Sequence, residues 1–213
     1  MHAANDPQVH LAQVHQCLLH FAGQTLQQLL YVEPFGEQLR RSPAARHARA
    51  IREVGAMFVD VYNERRLDVH MLGGTDDPDD LFGYAMVYRP EGHDAPPATL
   101  QYLFIQEAAR GVGRGRNLLL ATADCYDELD AVVPWDLTDL FETSGFWIAA
   151  EFNGHRDPDA PQAVKAWITQ MEMHKGNADP DNFDDDDFRS PPLLMLSDAD
   201  LLRLGNFLQG LPS

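Results

Sequence analysis

The chain has 213 residues, 45% of them hydrophobic and 23% charged, which is enough to bury a core without disulfides or metal. Its formal charge of −17 argues against nonspecific nucleic-acid binding and against an anionic membrane surface, and favours a cationic partner. No apolar run reaches the roughly 18 residues of a membrane span, and the N-terminus lacks the cationic segment and apolar core of a signal peptide, so a cytoplasmic protein is expected.

Asp6-Pro7 reads as a helix start, and Leu11, Val14, Leu18, Phe21, Thr25 and Leu29 keep one helical face to about Tyr31. The Pro34 and Gly36 region breaks this helix. A second starts at Pro43, with Ala48, Ile51, Gly55, Phe58 and Tyr62 on one face, and ends near Arg65-Arg66. The period then changes to two. Strands are expected over 67–72, 81–88 and 99–105, separated by the acidic turn 75–80 and a loop that runs to Pro97. A glycine-rich turn follows, then a helix through Leu118, Leu119, Thr122, Cys125, Tyr126 and Leu129 that ends near Asp130. Residues 131–136 read as a short strand, and 138–144 as a short helix closed by Gly145. Residues 146–152 and 163–174 read as two more strands, joined by a polar turn with Asn153-Gly154 and Pro158. An acidic loop over 176–187 precedes a last helix capped at Ser197-Asp198. The two cysteines, Cys17 and Cys125, sit in apolar helical patterns and read as buried free thiols.

The expected order is α-α-β-β-β-α-β-α-β-β-α, in the α/β (α+β) class. The sheet is mixed and mostly antiparallel, with one βαβ crossover and helices on both faces. The chain reads as a single domain, extended by the N-terminal helix at about 7–31 and by the C-terminal segment from about 176.

The stretch that carries chemistry is Arg110-Gly111-Val112-Gly113-Arg114-Gly115-Arg116, between the strand ending at Ile105 and a helix N-terminus. Glycines let the backbone turn tightly, and successive N–H groups there and at the helix start can face an anion. The bland reading is an ordinary tight strand-to-helix connection. Arg116 stands where the dinucleotide fingerprint needs glycine, and no Gly-Lys-Ser/Thr triplet of a nucleotide P-loop exists.

Arg110, Gly113 and Gly115 fit the pattern Arg/Gln-x-x-Gly-x-Gly/Ala. It resembles the pyrophosphate motif of the GNAT superfamily, the coenzyme A-dependent N-acyltransferases. Phe141-Glu-Thr-Ser-Gly145-Phe146 resembles a second signature of that family, and the resemblance covers roughly residues 44–175. It implies that the strand before the turn presents backbone groups to the pantetheine arm, while Ile105 and residues 110 to 116 (Arg110, Gly111, Val112, Gly113, Arg114, Gly115 and Arg116) hold the donor, acetyl-CoA. It further implies a strand irregularity near Phe104, Ile105 or Gln106, whose backbone N–H polarises the thioester carbonyl. The sequence departs from the family in places. Arg114 replaces a branched apolar residue, Phe141 stands where a tyrosine usually protonates the leaving thiolate, and the family's first strand has no counterpart.

Acyl transfer to an amine also needs the amine deprotonated, since an alkyl ammonium titrates near ~10. Glu107, beside the turn, is the candidate general base. Gln101, Tyr102, Asp68, His70, Tyr84 and Tyr88 are alternatives, and Tyr126 is read as a core residue. No metal site is expected. The expected acceptor is a small-molecule amine or a basic protein or peptide, with no nucleic acid and no membrane as partner. The N-terminal helix either lines the acceptor site or makes a homodimer, and the sequence does not choose. A different class of function is a non-catalytic CoA-binding or acidic interaction module, motivated by Phe141 and by the acidic residues 179–187.

Overall fold

The computed structural model describes residues 7–30, 33, 35–73, 81–92, 95, 97–153, 169–176 and 198–210. The cap at Asp6, Pro34, the acidic turn 75–80, the turn at Pro158, residues 163–168, the acidic residues 179–187 and Ser197 lie outside the described residues. The chain divides into two compact units, one helical and one built on a sheet.

The helical unit holds α1 (Pro7–Leu29), α2 (Phe35–Arg40), α3 (Ala44–Asn63) and α6 (Asp198–Gln209). On α1, the expected stripe of Val14, Leu18, Phe21, Thr25 and Leu29 is buried, together with Cys17, but Leu11 at its start is exposed. It packs on α3, where Phe58 meets Phe21 at a ring-centroid distance of 4.6 Å. Gly55 permits this approach, since a Cβ there would lie 2.9 Å from Leu19 Cδ2. Short α2 is unanticipated and contains Gly36, part of the expected break. Burial pushes the Cys17 thiol up to about 12.

The sheet unit contains β1 (Leu67–Gly73), β2 (Leu81–Tyr88), β3 (Ala98–Ile105), α4 (Arg114–Ala123), β4 (Leu129–Pro134), α5 (Thr138–Glu142), β5 (Trp147–Asn153) and β6 (Thr169–Lys175). Short 3₁₀ turns cover Glu107–Ala109 and Trp135–Leu137. The strand order is β1-β2-β3-β4-β6-β5. β3 and β4 are parallel, while β2–β3, β4–β6 and β5–β6 are antiparallel. The mixed, mostly antiparallel sheet expected from the sequence is present. One face carries the core: Ala85, Val87, Leu100, Leu129, Ala131, Val133 and Met173 pack with Leu118, Leu119 and Ala123 of α4 and with Phe141 and Phe146.

The helix after the glycine turn is shorter than the sequence suggests. It stops at Ala123, and Leu129 and Asp130 belong to β4. Leu129 kept the helical spacing only because a buried strand residue fell on it by coincidence of phase. Cys125 consequently lies past the helix and is exposed, against the expectation of two buried thiols.

Two irregularities position the site. In β2–β3, Met86 pairs with Tyr102 and Val87 with Leu100, so Gln101 is an extra, bulged residue. Core-facing residues are therefore Ala98 and Leu100 before the bulge, but Leu103 and Ile105 after it. The second is in β3–β4, where pairing covers only Ala98, Thr99 and Leu100 against Leu129, Asp130 and Ala131. Beyond Leu100 the two strands part, while β4 stays paired to β6 along its whole length, from Leu129↔Lys175 to Pro134↔Gln170.

Candidate functional site

The turn between β3 and α4 is built by backbone conformation. Gly111 and Gly113 have φ of 78° and 79°, the left-handed region that L side chains avoid. Gly113 is the N-cap of α4. The first bond that closes on the cap runs from Asn117 N–H to the Gly113 carbonyl at 3.0 Å. The N–H groups of Arg114, Gly115 and Arg116 thus have no acceptor inside the helix, and they project with the positive end of its dipole. At Gly115 a Cβ would make only an ordinary contact, 3.6 Å from Ile105 Cγ1. Val112 is 68% exposed at the tip.

Each of the three arginines has a place. Arg110 Nε donates to the Ile105 carbonyl at 2.9 Å, tying the turn back to the end of β3. The Arg114 guanidinium stacks over the Phe82 ring, with Cζ 4.0 Å from the centroid. Arg116 donates to the Thr143 carbonyl at 2.9 Å, at the C-terminal end of α5 where a cation is favoured. Beneath the turn, Gly83 allows β2 to close on β3, since a Cβ there would meet the Phe104 carbonyl oxygen at 2.4 Å.

From this turn back to Leu100, the edge of β3 that faces β4 is open. At ~3.3 Å per residue, residues 101–105 give an unpaired edge on the order of 17 Å long. Alternate N–H and C=O groups of such an edge accept an extended ligand as a strand would. The strand irregularity expected near Phe104, Ile105 or Gln106 lies instead at Gln101. A bulge relieves the twist where the sheet splits, so it sits at the inner end of the gap and not at the turn.

Glu107 is exposed and opens the 3₁₀ turn after β3. Tyr84, Tyr102 and Phe104 meet on the sheet face opposite α4; the Tyr102 and Phe104 rings are nearly parallel, at 5°. Burial pushes the Tyr102 hydroxyl up to about 12, partly offset by Arg110. Asp68, His70 and Tyr126 are brought together away from the gap. Tyr126 donates to Asp68 Oδ2 at 2.7 Å, Arg89 Nε pairs with the same oxygen at 2.9 Å, and His70 Nε2 lies 2.8 Å from the Tyr126 oxygen. Since the one hydroxyl proton goes to the carboxylate, His70 Nε2 is the donor in the last bond. Burial lowers the His70 pKa, and burial followed by the bond to Asp68 raises that of Tyr126. Phe141 is 3% exposed, with its ring 5.1 Å from Phe146. Gly145, at φ 89°, ends α5 through bonds from Gly145 N–H to Glu142 and Phe146 N–H to Phe141.

A second polar pair was not foreseen. His174 Nδ1 and Asp130 Oδ1 are 2.6 Å apart, on side chains 2% and 8% exposed. They are 44 residues apart in sequence, in strands whose register only the folded sheet reveals.

No protein-family model and no curated protein matches the chain. Several solved structures are similar to it, three of which follow. One is a spermidine N-acetyltransferase SpeG chimera from Vibrio cholerae and hSSAT, with 14% identity over 74% of this chain and 88% of that one, at a TM-score of 0.48. Another is a Bacillus subtilis acetyltransferase in complex with CoA, with 17% identity over 57% and 84% of the two chains and a TM-score of 0.43. The third is Arabidopsis thaliana Naa50 with a CoA bisubstrate analogue, with 17% identity over 47% and 68% and a TM-score of 0.37.

Proposed function

We propose that the chain is an acyl-CoA-dependent N-acyltransferase, using acetyl-CoA on a primary amine. The observation that carries this is the end of β3–β4 pairing at Leu100/Ala131 directly below the glycine turn. The turn offers N–H groups and arginines to a pyrophosphate. The open edge then offers backbone partners to a pantetheine arm that runs inward from it. The thioester would come to rest at the inner end, beside the Gln101 bulge. A backbone N–H freed from the regular ladder there can donate to the carbonyl oxygen as charge develops on it. Donor and amine held in line react in a ternary complex without a covalent enzyme intermediate.

In this reading Glu107 stands at the phosphate end. At ~3.3 Å per residue it is about 20 Å from Gln101 along the strand, beyond the reach of direct proton transfer. Its place suits it to the rim of the donor site. The charge of −17 favours a cationic acceptor, either a small amine or a basic peptide.

A second reading keeps donor binding and drops turnover. Buried Phe141, at the position where a thiolate proton donor was expected, favours it. Thermal stability with and without acetyl-CoA, followed by thiol release against a panel of amines, separates the two. Stabilisation with thiol release supports acyl transfer. Stabilisation without release on any amine supports the binding module. No stabilisation counts against both.

A further inference from the structure

A polar row crosses the sheet just inside the closed end of the β3–β4 gap. Register places Tyr88 beside Thr99, Thr99 beside Asp130, Asp130 beside His174, and His174 beside Trp147. The neighbours Leu100, Ala131 and Met173 point into the α4-side core, so alternation puts Asp130 and His174 on the opposite face. A carboxylate 8% exposed is expensive to keep in such a place without a use for its charge. The imidazole beside it is held fast. Trp147 lies edge-on at 5.3 Å, and the backbone closes over its far side, where a Cβ on Gly176 would come 2.7 Å from Nε2 and 2.8 Å from Glu128 Cγ. His174 therefore presents Nδ1 to Asp130 Oδ1 and leaves the second carboxylate oxygen as the one to take up a proton.

We propose that Asp130 accepts the proton of the attacking amine, with His174 as its positioning residue. This rests on the acyltransferase reading above. Asp130 is one residue, about 3.3 Å of strand, from Ala131, where the gap closes. The amine lone pair forms the C–N bond at the thioester carbonyl, and the C–S bond breaks with its electron pair leaving on sulfur. The proton shed by nitrogen passes to Asp130 Oδ2, while the bond from His174 to Oδ1 is kept. The neutral acid returns that proton to the departing thiolate or to water, which supplies the step that Phe141 cannot. Among the described residues, the ionisable partner of Asp130 is His174 on β6, and Glu128 on the turn before β4 lies past Gly176.

The test is thiol release over a pH range, with acetyl-CoA affinity read separately by thermal shift, for wild type, Asp130→Asn and His174→Gln. Asp130→Asn is expected to lower kcat about 100-fold or more with donor affinity unchanged. His174→Gln withdraws a charge-stabilising donor, so the carboxylate holds its proton more tightly and the acid limb of the kcat profile moves to higher pH. That shift is a readout that loss of packing alone would not give, and it decides the matter if Asp130→Asn does not fold. A folded Asp130→Asn with the wild-type rate, or an unmoved acid limb in His174→Gln, overturns the proposal. Either of these leaves the acyltransferase reading standing if the wild type turns over. A wild type that releases no thiol with any amine overturns both.

Discussion

Two glycines two residues apart in the turn should respond to alanine with opposite signs. At Gly113 the backbone is left-handed, φ 79°, with nothing within 4 Å of an added Cβ. The cost is therefore conformational, about 1–2 kcal/mol, and the stiffer unfolded chain returns ~0.4–1 kcal/mol of it. Gly113→Ala should thus destabilise by roughly 0.5–1.5 kcal/mol. At Gly115 the backbone is helical and the new methyl would make an ordinary 3.6 Å contact with Ile105. The same substitution there should stabilise by a few tenths up to about 1 kcal/mol. Urea unfolding of the two variants, followed by one probe in each compact unit to check for a single transition, reads the difference as a shift in midpoint at constant slope. Equal effects, or the reverse order, would refute the assignment of strain to Gly113. Gly113→Asp adds like charge where phosphates should bind, so acetyl-CoA affinity should fall at least tenfold, about 1.4 kcal/mol.

The His70 pKa is lowered from 6.5, so the unfolded chain binds the proton first on acidification. Stability from this residue is full above pH 6.5 and is lost as pH falls through the lower folded value. His70→Gln should flatten that part of the stability profile, and His20, lowered by burial in the helical unit, contributes in the same sense. Tyr126→Phe leaves Asp68 its bond to Arg89 but takes the acceptor from His70, and should cost about 1–3 kcal/mol in urea unfolding. Phe141→Tyr would bury a hydroxyl where Phe146 packs; it should lower the unfolding midpoint by a similar energy and leave kcat no higher. KM for a polycationic acceptor should rise with ionic strength while that for a singly charged amine changes little, given the net charge of −17.

The glycine turn was legible because its requirements are local: Gly111 and Gly113 answer to φ, and a strand and a helix must flank them. The alternating strands and the stripe from Val14 to Leu29 were legible for the same reason. What could not be read was register. Asp130 looked like a helix end because nothing in residues 118–130 says that the chain leaves the helix at Ala123. Its partner His174 reaches it only because β6 inserts between β4 and β5. The bulge was expected by resemblance, yet three to five residues too late. Its position depends on where β4 parts from β3, a property of two strands that neither segment carries alone.

The extra residue at Gln101 is one that the pairing of β3 with β2 does not need. Removing that one amino acid would erase the bulge and close the ladder, with Tyr102 still opposite Met86 and Leu103 still opposite Ala85, each on its present face. Changing its side chain would disturb neither of them. Position 101 thus behaves as an insertion before the last stretch of β3, and a sequence alignment that closes a gap there would match residues on the wrong side of the sheet.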